Sequence, residues 1–354
     1  MSDPAVDWLL SSDEPGVRYV TRRDLLGEPA ESIEEEASRI LDGPKVSALL
    51  AGQRPDGGYG SFVTTVGHYR GASRSPENLI WVETVRGDPD RGWTAPMWRL
   101  IALTELAVPS DARVQAAANY VLDLVLEYPR HQRGPLVKNG LVRACAGFEG
   151  AALRIGCRLG MADDPRVRRL AEALQGWQWP DGGWNCHRNA SGRRSTFNHS
   201  LNAAWGLHEY ARATGDSGAA EAANRAAELF LEHRLVFSLG TGIPSGFRPN
   251  PPPKGQLINK RWAQLGYPAY WHYDLLAVLG FLTRFGRIGD QRARDGLDLL
   301  ERKRRKDGLW AADRQWWAPT KDHCSDVVEW GRAHQPSEMI TLNALRILRA
   351  AGRL

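Results

Sequence analysis

The chain has 354 residues, 42% hydrophobic and 25% charged, with a net charge of +5 and a pI near 9.1, proportions that describe a soluble protein with a large core in one or two domains. The positive charge comes largely from dispersed arginines, and the short basic runs at 193–194 and 302–306 lack the interleaved aromatics of a nucleic-acid surface, which excludes that class of partner. No apolar run reaches the ~18 residues of a membrane span, so only a peripheral membrane contact is left open.

In chain order, the acidic start MSDPAVDWLLSSDEPG has no signal-peptide core. Residues 17–26 (VRYVTRRDLL) read as a first apolar helix, and 33–50 as a helix charged on one face. The heptapeptide QRPDGGY follows at 53–59. Further apolar helices are predicted at 98–106, 141–156, 197–210, 273–285 and 340–348. Amphipathic ones alternate with them at 111–126, 165–177, 217–233 and 291–303. Apolar residues recur at three- and four-residue spacing, and alternating β-branched runs are nearly absent. A second heptapeptide, QWPDGGW at 178–184, and a degraded third, RRKDGLW at 304–310, also follow amphipathic helices. In each, the aspartate turns the chain and glycine permits positive φ. The ring that follows packs back on a helix end. Asp56, Tyr59, Asp181, Trp184, Asp307 and Trp310 are therefore expected to staple helices rather than to catalyse.

A repeated helix–turn unit cannot bury its apolar face alone. Helices that are apolar all round belong inside, and striped ones outside. The expected fold is a single all-α domain over 1–354: an (α/α)6 toroid barrel of six inner and about six outer helices. The Pro-rich loop at 237–268 precedes an inner helix. It is placed either as a lid or as an inert excursion.

The QxPDGG[YW] turns, set between alternating helices, resemble the QW motifs of squalene–hopene cyclases and the repeats of protein prenyltransferase β subunits. The whole layout, with segments such as VRYVTRRDLLG, RWAQLGYP and PSEMITLNALRIL, is similar to stand-alone bacterial squalene-cyclase-like or prenyltransferase-like proteins. The resemblance implies an α/α toroid and a hydrophobic substrate, isoprenoids being the class it suggests. Two motifs of the family are missing. There is no Asp-x-Asp-Asp to protonate an alkene; Asp163-Asp164 supplies only two acids. There is no DDxxD to hold diphosphate. Squalene cyclisation of the usual kind is therefore not expected.

In such a toroid the inner helices start at one end, so polar residues in their first turns converge. Cys186 and His187 follow the second DGG turn, and His199 lies one turn into the next helix. His272 and Asp274 open the helix after that. Cys145 and Glu149 lie on the third inner helix, and Asp322-His323-Cys324 precedes the last. Thiol, imidazole and carboxylate suit Zn²⁺. The resemblance points the same way, since protein prenyltransferases hold zinc with Asp, Cys and His, and lanthionine cyclases with two Cys and one His. Neither spacing is reproduced here. The expected metal ligands are Cys186, His199, His272 and Asp274. The expected catalytic residues are His199, His272 and Asp274, with His272 as a general base if no metal is present. Against this, a lone His near a helix start is commonly a packing residue, Cys145 and Cys157 read most simply as small buried hydrophobes, and Asp274 suits helix-start electrostatics. The four cysteines include no CxxC pair, so a reducing cytoplasm is the expected location.

Fourteen tryptophans are unusual, and Trp98, Trp205, Tyr270, Trp271 and Tyr273 are expected to wall a cavity where rings stabilise a carbocation. Three functions fit: a cyclase- or transferase-like enzyme for a hydrophobic substrate, a zinc enzyme activating a thiol or water, or a non-catalytic scaffold for a ligand or protein. No nucleotide cofactor is expected.

Overall fold

The computed structural model describes residues 3–59, 95–187, 192–240, 252–314 and 327–354. Among them are twelve principal helices: α1 (Pro4–Leu10), α2 (Pro15–Thr21), α3 (Pro44–Leu50), α4 (Pro96–Glu105), α5 (Ala112–Leu126), α6 (Ala146–Arg158), α7 (Pro165–Trp177), α8 (Phe197–Thr214), α9 (Ser217–Glu232), α10 (Leu275–Phe285), α11 (Arg294–Arg302) and α12 (Glu338–Ala350). Their starts follow from the sequence. Asp111, Asp164, Asp216 and Asp274 each accept a backbone N–H from the first turn of the helix they precede, satisfying donors that a helix start leaves open.

Burial separates inner from outer helices. On α7 the buried residues are Val167, Leu170, Ala171, Leu174 and Trp177, one stripe at helical spacing. On α10 burial spreads around the helix, through Leu275, Leu276, Val278, Leu279, Phe281 and Leu282. Helices α4, α6, α8, α10 and α12 pack side by side in that order, and α5, α7, α9 and α11 back them. The gap between α12 and α4 is closed by α1 and α2. Gly16 on α2 abuts Leu106 at the end of α4, where an added Cβ would meet its carbonyl at 2.7 Å. Arg349 on α12 donates to the Leu25 carbonyl just beyond α2. The result is an all-α ring of helix pairs, an α/α toroid.

The DGG turns lock this ring at repeated positions. Gln53 donates to the Arg113 carbonyl on α5 at 2.8 Å, and Gln178 to the Ala222 carbonyl on α9 at 2.8 Å. The middle glycines Gly57, Gly182 and Gly308 have φ of 91°, 90° and 84°. A side chain there would be strained, and at Gly57 a Cβ would also lie 2.2 Å from the Ala116 carbonyl. The Trp184 indole donates to Leu174 O at 2.9 Å, and that of Trp310 to Leu300 O at 2.8 Å. Tyr59 has a hydroxyl where the others have an indole. Arg99, stacked 4.0 Å over its ring, donates to Leu49 O in its place.

Three expectations need correction. Residues 141–143 are not helical: Leu136–Lys138 (β1) and Leu141–Arg143 (β2) form an antiparallel hairpin. Asn139 and Gly140, with φ of 52° and 72°, make its turn. Residues 33–50 are not one helix, because Gly43-Pro44 interrupts them and α3 begins at the proline. Segment 17–26 is α2 plus a wider turn, Arg22–Leu26, and runs between the ends of α4 and α12; helix α1 before it was unforeseen. Of the 237–268 loop, residues 241–251 lie outside the described residues, as do Asp322, His323 and Cys324. No helix of the described residues is long and apolar enough to cross a membrane.

Candidate functional site

Two polar centres sit on the inner helices. The first is built by the hairpin and the second DGG turn. Arg143, the last residue of β2, forms a parallel backbone bridge with Asn185, just past Trp184. Trp179 fixes this register, donating its indole N–H to Val142 O at 2.6 Å while Arg143 stacks 4.5 Å over its ring. The bridge sets Cys145, two residues on, beside Cys186, one residue on. His199 joins them from the first turn of α8. Helices α6 and α8 approach closely because Gly150 and Gly206 face each other: a Cβ on Gly150 would lie 2.2 Å from Asn202 O, and one on Gly206 2.4 Å from Gly150 O.

The donor atoms of Cys145, Cys186 and His199 all lie within 4.8 Å of one another, and Cys186 Sγ is 3.1 Å from His199 Nε2. The thiol of Cys145 hydrogen-bonds to Cys186 and holds its pKa well below the usual range; burial opposes this, and His199 and Arg130 assist. Burial works against a protonated His199, but the Cys186 thiolate outweighs it and the His199 pKa is raised. The Cys145 pKa moves up, first through its bond to Cys186 and then through burial. The cluster thus favours negative charge on Cys186, with protons drawn toward Cys145 and His199.

Beside it lies a buried ion cluster that the sequence revealed only in part. Glu149, one turn into α6 and fully buried, receives Arg130 Nε and His131 Nε2, the latter at 2.9 Å. Burial opposes its charge, yet Arg130 and His131 hold its pKa below the ordinary range. Glu149 Oε2 and Arg130 Nη2 are buried with no partner. Nothing in the sequence flagged Arg130 or His131, which sit in the helical turn Pro129–Gln132 before the hairpin.

The second centre is the central cavity, about 710 Å³ of empty space that includes open solvent, walled among others by Trp98, Trp205, Tyr270, His272 and Asp274. Trp98 meets Tyr270 edge-on with ring centroids 6.0 Å apart, and tilts against Trp271 at 5.8 Å. Asp274 caps α10 through Oδ1, accepting from Ala277 N at 2.9 Å, while its buried Oδ2 has no partner. Burial raises its pKa to about 7 despite the Ala277 N–H and Arg314. Burial, then Arg314, lowers His272 to about 3, so it is neutral.

The predicted residues thus divide. Cys186 and His199 come together, with Cys145 as their third member; His272 and Asp274 are not part of that metal-competent group among the described residues. Trp98, Trp205 and Tyr270 line the cavity, and Trp271 touches it through Trp98. Tyr273 is fully buried elsewhere, packed with Phe197, Phe230 and Trp262, its hydroxyl donating to Leu235 O at 3.0 Å. The two centres are close neighbours on α8. His199 and Asn202 are three residues apart and share a helix face, and Asn202 lines the cavity and donates to Tyr270 O at 3.2 Å.

Among solved structures the chain is similar to a type II terpene cyclase from Scytonema, in complex with its product merosterolic acid A. The two share 16% identity with a TM-score of 0.30, over 88% of this chain and 96% of that one. No family model matches the chain, and no curated protein does.

Proposed function

We propose that this chain is an enzyme that takes a hydrophobic small molecule into the central cavity and works on it with a zinc ion held by Cys145, Cys186 and His199. One observation carries the metal: two thiols and an imidazole, from three separate segments, gather their donor atoms within 4.8 Å. Neighbouring ligands on tetrahedral zinc stand roughly 3.5 Å apart. Small side-chain rotations bring this group to that spacing. Three protein ligands leave a fourth position open, the pattern of catalytic rather than structural zinc. When bound, zinc lowers the pKa of a water or thiol, supplying a nucleophile at neutral pH.

The chain's own groups support that chemistry. Arg130 stabilises negative charge on the thiols. Glu149 keeps a carboxylate oxygen without a hydrogen bond beside them. The aromatic walls of Trp98, Trp205 and Tyr270 suit an apolar body such as an isoprenoid, as the cyclase- and transferase-like reading requires. Acid-initiated squalene cyclisation stays outside the proposal, because Asp-x-Asp-Asp is missing. Cys145, Cys157 and Cys186 are free thiols, which suits a reducing, cytoplasmic setting.

Protein purified without chelator should contain about one zinc per chain by elemental analysis, and His199→Ala and Cys186→Ala should each lower this well below one without unfolding the protein. A chain that takes up no zinc, with a melting temperature indifferent to added metal, overturns the reading. The 3.1 Å Cys186–His199 contact then favours a second one: a metal-free thiolate–imidazolium nucleophile, tested by rapid alkylation of Cys186 that His199→Ala slows.

A further inference from the structure

The far end of the cavity is unlike its aromatic wall. The inner helices end there, and charged residues gather: Glu105 on α4, Arg154 and Arg158 on α6, Glu209 on α8, Arg284 on α10 and Arg346 on α12. Most of these cations have ordinary work. Arg158 and Arg284 stand in the last turns of their helices, where a cation offsets the negative end of the helix dipole. Both also bond Glu209. Arg346 pairs with Asp24 at 2.8 Å.

Arg154 differs. It lies one turn inside α6, lines the cavity and is 4% exposed. Its guanidinium stacks 3.9 Å over Trp205. An arginine presents Nε and Nη2 along one edge, a fork that matches two anionic oxygens. Two other arginines show that edge filled. Arg22 gives both nitrogens to Glu28, at 3.0 and 2.7 Å, and Arg284 gives both to Glu209, at 3.0 and 3.2 Å. Arg154 gives only Nη2, to Glu105 at 2.7 Å; its Nε is buried and has no partner. A buried N–H left open costs stability unless something fills it. The surroundings favour an anion, since Arg154, Arg158, Arg284 and Arg346 face three carboxylates, Glu105, Glu209 and Asp24. That crowding, after burial itself, pushes Arg158 down to about 10.

We propose that this end of the cavity is an anion subsite, in which Arg154 takes the carboxylate or phosphate head of an amphipathic ligand whose apolar body lies against Trp98, Trp205 and Tyr270. The proposal rests on the reading of the cavity as the substrate chamber, and not on the metal. It gives the substrate a class, a lipid-like anion, and an orientation, head toward the helix ends and tail toward His272 and Asp274.

Calorimetric titration of the full chain with decanoate, decyl phosphate and decanol tests it. The anions should bind roughly ten- to hundredfold more tightly than the alcohol, the range of a charge-assisted hydrogen bond. The tighter of the two anions identifies the head. Arg154→Gln should erase the preference while leaving decanol binding in place. Glu105→Gln removes the competing negative charge at Nη2 and should strengthen anion binding, a gain that a misfolded variant cannot imitate. Equal binding of alcohol and anions, or a preference that survives in Arg154→Gln, overturns the subsite but leaves the chamber standing. If none of the three binds, both fall. Zinc content, measured separately, bears on neither outcome.

Discussion

Asp274 has two oxygens with opposed circumstances. Oδ1 caps α10, and Oδ2 faces the cavity wall without a hydrogen bond. Its pKa is about 7 when folded, against an ordinary value of 3.8. A carboxyl whose folded pKa is raised costs the folded state nothing below its unfolded pKa. The cost grows as pH climbs from 3.8 toward 7 and is complete above that. The full penalty is up to ~4 kcal/mol. Asn keeps the capping oxygen and carries no charge. Asp274→Asn should therefore match the parent in urea midpoint near pH 4 and exceed it clearly at pH 8. Equal midpoints at both would show that the carboxyl is not destabilised by burial. His272 shifts stability in the opposite range, being held neutral to about pH 3, but does so in both proteins and cancels. How far such residues were legible depended on distance along the chain. Cys186 and His199 both follow the second DGG turn, 13 residues apart, so their meeting was expected. Cys145 lies 41 residues before Cys186 and is set beside it by the Arg143–Asn185 bridge, which no periodicity announces. Arg154 was invisible for a plainer reason: a charged residue in an apolar run gives no sign of which neighbour it lacks.

Among the elements, the α6–α8 contact matters most, because both centres depend on it. Gly150 allows the two backbones to touch, and a Cβ there would lie 2.2 Å from Asn202 O with no flexible side chain able to yield. Gly150→Ala should therefore cost about 1–3 kcal/mol by chemical denaturation, as overpacking does. It should also lower zinc affinity, since pushing α8 away moves His199 from the two thiols. Unchanged zinc affinity alongside lost stability would separate the helix contact from the site. The alternation of apolar and striped helices was readable because a 3.6-residue period survives over ten or more residues. The hairpin was not read, although Asn139-Gly140 between LVK and LVR carries its signal; three-residue strands are too short for any period to register. The break at Gly43-Pro44 was hidden by continuous helix-forming composition on either side.

At the scale of the whole molecule, the two DGG turns and the DGL turn at 307–309 do one task by different chemistry. In the first two, a glutamine donates to the backbone of the next outer helix. In the third, Arg304 stands where the others have glutamine. It still donates to its own turn, through Nε to Gly308 O at 2.9 Å, as Gln178 does to Gly182 O at 2.8 Å. Its outward reach, however, ends on a carboxylate: Nη2 meets Asp3, the cap of α1, at 2.7 Å. The copy that looks degraded in sequence is the one that joins the two ends of the ring.

That substitution gives the ring a joint whose strength depends on ionic strength. Neutral amide joints at Gln53 and Gln178 are insensitive to added salt. The Asp3–Arg304 pair is about one-third exposed on each side, and its attraction fades as the screening length falls from ~10 Å at 0.1 M to ~3 Å at 1 M salt. Amide protons of α1 should then exchange faster in 1 M than in 0.05 M sodium chloride, while those of α9, held by the Gln178 joint, keep their rates. Arg304→Gln restores the residue of the other two turns and should remove the salt response. Equal acceleration in both helices, or a response that persists in the variant, would place the weak joint elsewhere. Where the pair holds, the ring opens first at α1, between the chain's first and last helices.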